Sequence, residues 1–147
     1  MVSFVFWSKS FRPIVTAAVK THVSGTEAIT FNLVVMNSGA IPAKHIKLSA
    51  SVADLERSLG TEVDAGHKSR WLKCFDAETE IYLLQNNDKV SCSFGTSKTD
   101  DSGFWKYNSI IPITIQYQGW LGKHYTQKQE LHIQDSDSFT GFMWSDV

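Results

Sequence analysis

The chain has 147 residues, 42% of them hydrophobic and 20% charged, with Lys+Arg 14 against Asp+Glu 15 for a formal net charge of -1. This is ordinary globular composition, which excludes disorder of the whole chain and suits a single domain that needs no metal or disulfide staple. Basic residues are scattered and never form a block, so no field exists to draw in nucleic acid or anionic lipid.

Residues 1–7 are apolar but far shorter than the ~20 residues that span a bilayer. They lack the basic leader and small-residue cleavage site of a signal peptide. They read as an edge strand or terminal arm, or as the end of a membrane segment lying outside this chain. Residues 8–13 form a polar break closed by Arg12-Pro13, and a proline suits the start of a strand. Residues 14–22 alternate weakly, with Val15, Ala17 and Val19 on one face. Residues 29–36 are the clearest strand, with Ile29, Phe31, Leu33 and Val35 at period two. Asn37-Ser38-Gly39-Ala40-Ile41-Pro42-Ala43 follows as a turn. Residues 46–52 then alternate Ile46, Leu48, Ala50 and Val52 with Lys47, Ser49 and Ser51, as a half-buried antiparallel strand does.

Residues 53–70 break the rhythm. One or two helical turns over 54–59 precede Gly60, and 66–70 read as a polar loop, the segment expected to be least ordered. Residues 71–75 read as a short strand. Residues 80–84 and 89–94, joined by Asn86-Asn87-Asp88, read as a hairpin. After a polar loop at 97–103, residues 110–117 are strongly β-branched, and Pro112 within them predicts an edge position or a bulge. Residues 119–122 form a turn and 123–133 a long amphipathic strand. The pattern predicts an all-β, antiparallel β-sandwich of seven or eight strands. It divides into an arm at 1–11, a sandwich domain at 12–134 and an acidic and aromatic tail at 135–147.

The stretch from Phe31 to Ala43 resembles the strand-Asn-x-Gly-x-x-Pro-Ala turn of bacterial immunoglobulin-like domains. Arg12-Pro13 before the first strand, and the late pair 113–117 and 123–125, are similar to that family's start and final hairpin. The resemblance implies an immunoglobulin-like sandwich of the kind found in membrane-anchored or cell-surface bacterial proteins. Antibody-type domains place a tryptophan between two bridged cysteines. No tryptophan lies between Cys74 and Cys92, so the chain is not of that type.

Candidate chemistry is sparse. His22, His45, His67, His124 and His132 show no zinc spacing. Residues 135–138 mimic the start of a calcium loop, but Phe139 fills its fifth position and offers no oxygen. There is no Gly-x-Ser-x-Gly elbow or phosphate loop, and Glu78 and Glu80 share a face of a predicted strand end. No catalytic residue, metal or cofactor is assigned. Cys74 and Cys92 are either free, partly buried thiols or a disulfide worth about 3 kcal/mol in the chain-entropy model. Cys92 in mid-strand reads as inert packing.

Aromatics supply the weak binding candidates Trp105, Tyr117 and Trp120, with Tyr107 nearby. They either fill the core or form an exposed platform. Phe139, Phe142 and Trp144 pose the same choice in the tail. The leading expectation is a non-enzymatic structural or protein-interaction module that binds through a sheet edge, with a membrane reached only through a segment outside this chain. The alternatives are a carbohydrate-binding module using Trp105 and Trp120, which needs both rings exposed, and an enzyme with a spatially assembled site.

Overall fold

The structure, a computed structural model, describes residues 12–24, 28–61, 63–98 and 100–136. The expectations for the 1–11 arm and for Phe139, Phe142 and Trp144 lie outside the described residues.

Among the described residues, eight strands form two four-stranded sheets. They are β1 (Val15–Ser24), β2 (Ala28–Asn37), β3 (Ala43–Ala50), β4 (Ile81–Leu84), β5 (Lys89–Lys98), β6 (Trp105–Lys106), β7 (Ile110–Gln118) and β8 (His124–His132). One sheet runs β1-β2-β5-β6 and the other β4-β3-β7-β8. All pairs are antiparallel except the two-residue contact of β5 with β6. The chain therefore changes sheet after β2, β4 and β6, which is the Greek-key path of an immunoglobulin-like sandwich.

Period-two alternation builds the core. Val15, Ala17 and Val19 of β1 lie beside Val35 and Leu33 of β2, and Ile111, Ile113, Ile115 and Tyr117 of β7 face them from the other sheet. Burying each such aliphatic side chain contributes about 1.5–3 kcal/mol. Phe94, Phe104 and Trp105 close one end of the core as an aromatic cluster. The Trp105 ring stacks on Phe94 at 4.9 Å and meets Phe104 edge-on at 4.9 Å. Its indole N–H donates to the Phe94 carbonyl, so the buried polar atom is satisfied. Gly95, at φ +87, makes the bulge that aims Phe94 inward, and a Cβ there would meet the Phe104 and Trp105 rings at 3.0 Å.

The Asn37 turn is the crossing from one sheet to the other. Asn37 is buried, and its Oδ1 accepts from the Ile14 N–H at 3.1 Å and the Gly39 N–H at 2.9 Å. Its Nδ2 donates to the carbonyls of Ile41 at 2.8 Å and Leu84 at 3.1 Å. Gly39 is required because a Cβ would lie 2.3 Å from the Arg12 carbonyl oxygen. Ala43 is fully buried, so the small residue after Pro42 also has a packing cause.

The segment between β3 and β4 departs from expectation in part. The helical turns expected over 54–59 are present as helix α1 (Val52–Ser58), but helix α2 (Ala65–Trp71) and a 3-10 turn (Lys73–Phe75) stand where a loop and a short strand were predicted. Ser51 caps α1 by accepting from the Asp54 N–H at 3.2 Å, and Asp64 caps α2 by accepting from the His67 N–H at 2.7 Å. The expected hairpin of 80–84 with 89–94 does not form, because β4 pairs with β3 and β5 pairs with β2. The Asn86–Asp88 turn is instead tied to the end of β2. The Asn87 N–H donates to the Asn37 carbonyl at 2.7 Å, and the Asn37 N–H donates to the Asp88 carbonyl at 3.0 Å.

Pro112 sits in an interior strand, not an edge strand, since β7 pairs with both β3 and β8. The proline is tolerated because β3 has run out there. The last β3 partner is Ala50 opposite Ile113, and Pro112 faces only Glu130 of β8.

Candidate functional site

The two long sides of the sandwich differ. On one side, β1 and β8 are stitched together across the sheets. The Ala17 N–H donates to Gln129 Oε1 at 3.0 Å, and Gln129 Nε2 donates back to the Ala17 carbonyl. The Gln129 amide thus acts as a one-residue strand partner. Thr21 extends the seam, its hydroxyl donating to Asp135 at 2.7 Å and its N–H donating to the Ser136 hydroxyl at 2.8 Å.

The opposite side is open. Strand β4 has only four residues, pairing with β3 from Ala43 to Ile46, so among the described residues Leu48 has its sheet partner, Ile115, on the β7 side and none on the β4 side. On the facing sheet, Cys92 pairs with Leu33 and Val90 with Val35. Directly paired residues share a sheet face. Cys92 and Val90 therefore look toward the core, yet Cys92 is exposed and Val90 is 39% exposed. Among the described residues no strand pairs with the outer edge of β5 before Ser97.

The result is an inter-sheet cleft of about 440 Å³, within the usual range for ligand pockets. Leu33, Val35, Ile46 and Leu48 form its floor, and Ile81 and Val90 its walls. The 3-10 turn covers part of its mouth and brings Cys74 to the rim beside Arg70 and Lys73. Glu80 also reaches the rim but is engaged by His45, whose Nδ1 lies 3.2 Å from its Oε1. Neither Arg70 nor Lys73 forms an ion pair among the described residues.

The two cysteines, far apart on different elements, meet at this rim and are free thiols. The Cys74 thiol donates to the Trp71 carbonyl at 3.7 Å, and interaction with the neighbouring Cys92 thiol, together with burial, pushes it well above the usual thiol range. The same neighbour holds Cys92 down to about 7, against the opposing effect of desolvation. The expectation that Cys92 is packing is corrected by its exposure. Its strand position faces inward, but no strand covers it among the described residues.

The aromatic candidates do not converge. Trp105 is fully buried in the core cluster, while Trp120 is 67% exposed in the β7–β8 turn. The exposed pair that a Trp105–Trp120 sugar platform requires is therefore absent. Tyr117 is buried and stacks on Tyr125 at 5.4 Å, with its hydroxyl donating to Gln127 at 3.3 Å. Tyr107 is half-buried, its hydroxyl accepting from the Asp135 N–H at 3.2 Å. The histidines are dispersed, with His22 on β1, His45 on β3, His67 on α2 and the other two at opposite ends of β8. Glu78 lies in the turn before β4 and not on a strand face.

Sequence reasoning missed the cleft. The one available signal was that Val90 and Cys92 share the parity of Phe94, which marks them as inward-facing.

Fold and site together define an immunoglobulin-like β-sandwich that, among the described residues, is stitched along one side and open along part of the other. The chain belongs to the family described as a domain of unknown function (DUF8453), whose model matches residues 7–137. No curated protein matches the chain, and no solved structure does.

Proposed function

We propose that this protein is a non-enzymatic interaction module whose partner presents an extended segment to the open side of the sandwich. The observation that carries this reading is that, among the described residues, Val90 and Cys92 face inward but are uncovered, beside an edge of β5 without a strand partner. An added strand satisfies both features. Its backbone pairs with the edge, and its alternate side chains enter the apolar cleft. A small amphiphile would use the cleft alone. Arg70 and Lys73 at the rim favour an acidic residue flanking the inserted segment. The aliphatic floor suits the burial of apolar side chains from a partner.

The membrane-tethered bacterial setting implied by the resemblance at Arg12-Pro13 and 37–43 belongs to the same proposal. A hydrophobic segment encoded upstream would support it, and its absence would remove it.

The test is selection from a library of peptides with apolar residues at alternate positions, followed by amide hydrogen exchange. Bound peptides are expected to protect residues 89–94. Val90→Trp, which fills the mouth, is expected to reduce binding at least tenfold without lowering the melting temperature. Peptides that protect other strands, or a V90W variant that binds like the parent, would overturn the reading.

A further inference from the structure

Cys74 and Cys92 are the only cysteines of the chain, and the fold brings both to the rim of one cleft. They arrive from unrelated elements, one from the 3-10 turn and one from β5. Packing alone does not account for this, because Cys92 is exposed and Cys74 only half-buried. We propose that Cys74 and Cys92 form a reactive dithiol site that takes a low-molecular-weight disulfide as its co-reactant and closes to an intramolecular disulfide across the cleft mouth.

The roles follow from position. Cys92 is exposed and is the sulfur that a small disulfide reaches first. Its thiolate, which the neighbouring Cys74 thiol favours near neutral pH, attacks one sulfur of the disulfide. That S–S bond breaks, one small thiolate leaves, and a mixed disulfide forms on Cys92. Cys74 then loses its proton and attacks the Cys92 sulfur. The mixed bond breaks and the second small thiolate leaves. The two protein thiols are oxidised, the small disulfide is reduced to two thiols, and the two protein protons end on those thiols. Cys74 is held protonated by its neighbour and by burial, so it waits until Cys92 is capped and no longer competes as a thiolate.

The bond ties the 3-10 turn to β5, directly over the uncovered part of the cleft. This site goes beyond the proposed binding function, and its chemistry does not depend on what fills the cleft.

The experiment treats the full chain with glutathione disulfide, blocks remaining thiols with a maleimide and measures intact mass. Both thiols are expected to disappear together, leaving a monomer that retains no glutathione. Cys74→Ser is expected to trap one glutathione on Cys92, and Cys92→Ser to react at least tenfold more slowly than the parent. The oxidised monomer is expected to melt about 10 °C higher than the reduced one. Circular dichroism of both variants establishes that they are folded. A parent protein that keeps a stable glutathione adduct would overturn the proposal, because Cys74 would not then reach Cys92. So would a folded C92S variant that reacts as fast as the parent.

Discussion

Replacing Asn37 tests the account of the sheet crossing. Asn37→Ala removes four side-chain hydrogen bonds, to Ile14, Gly39, Ile41 and Leu84. Each is worth about 1 kcal/mol net. Water can reach the partly buried bonds to Ile14 and Ile41, so the expected loss is about 3–4 kcal/mol. At roughly 4 °C per kcal/mol for a domain of this size, the melting midpoint should fall by about 12–16 °C. Asn37→Asp separates the two halves of the site. It keeps both acceptor bonds but turns an oxygen toward the Ile41 and Leu84 carbonyls, so it should cost about 2–3 kcal/mol despite its near-identical shape. Urea unfolding followed by tryptophan fluorescence, which buried Trp105 reports, measures both variants. A loss below about 1 kcal/mol for N37A, or an N37D variant that unfolds like the parent, would refute the claim that this amide holds the crossing.

Gly95→Ala should destabilise by about 1–3 kcal/mol, since the site has φ +87 and the new methyl would press on the Phe104 and Trp105 rings; thermal melts check it. Gln129→Ala should cost about 1–2 kcal/mol by freeing the Ala17 backbone groups and should raise hydrogen exchange at Ala17 above that of neighbouring β1 amides. The rate of Cys92 alkylation should rise with pH through a midpoint near 7, because the thiolate is the reacting form, while Cys74 stays unreactive over the same range. In Cys74→Ala the Cys92 midpoint should move up toward the ordinary thiol value, and mass-resolved labelling across pH reads the shift.

The strands with clean alternation were legible because a buried face writes itself at period two. Residues 29–36 and 110–117 are the plainest cases, and they became β2 and β7. Pairing partners were not legible in the same way. Asn86-Asn87-Asp88 has turn chemistry whether the chain reverses within a sheet or steps to the other one. The backbone of Asn37, distant in sequence, decides it. Helix α2 carried an N-cap signal in Asp64, but it is only seven residues long, includes Gly66 and buries none of its residues, so no periodic face announced it. Trp105 and Trp120 look alike in sequence, and only the Gly95 bulge, with its space for an indole, separates the buried ring from the exposed one. The cleft has no local pattern at all. It arises because β4 stops at Ile81 while β5 continues past the same level.

The Gln129 seam has a mechanical consequence. The two sheets are joined along this side like the covers of a book along its spine, and on the other side at one end, where the Asn37 amide holds the Leu84 carbonyl. A change in the angle between them displaces β1 and β8 least and the part of the mouth distant from the Asn37 tie most. Loosening the spine at Gln129 would therefore alter how widely the far side gapes, although that residue touches nothing in the cleft.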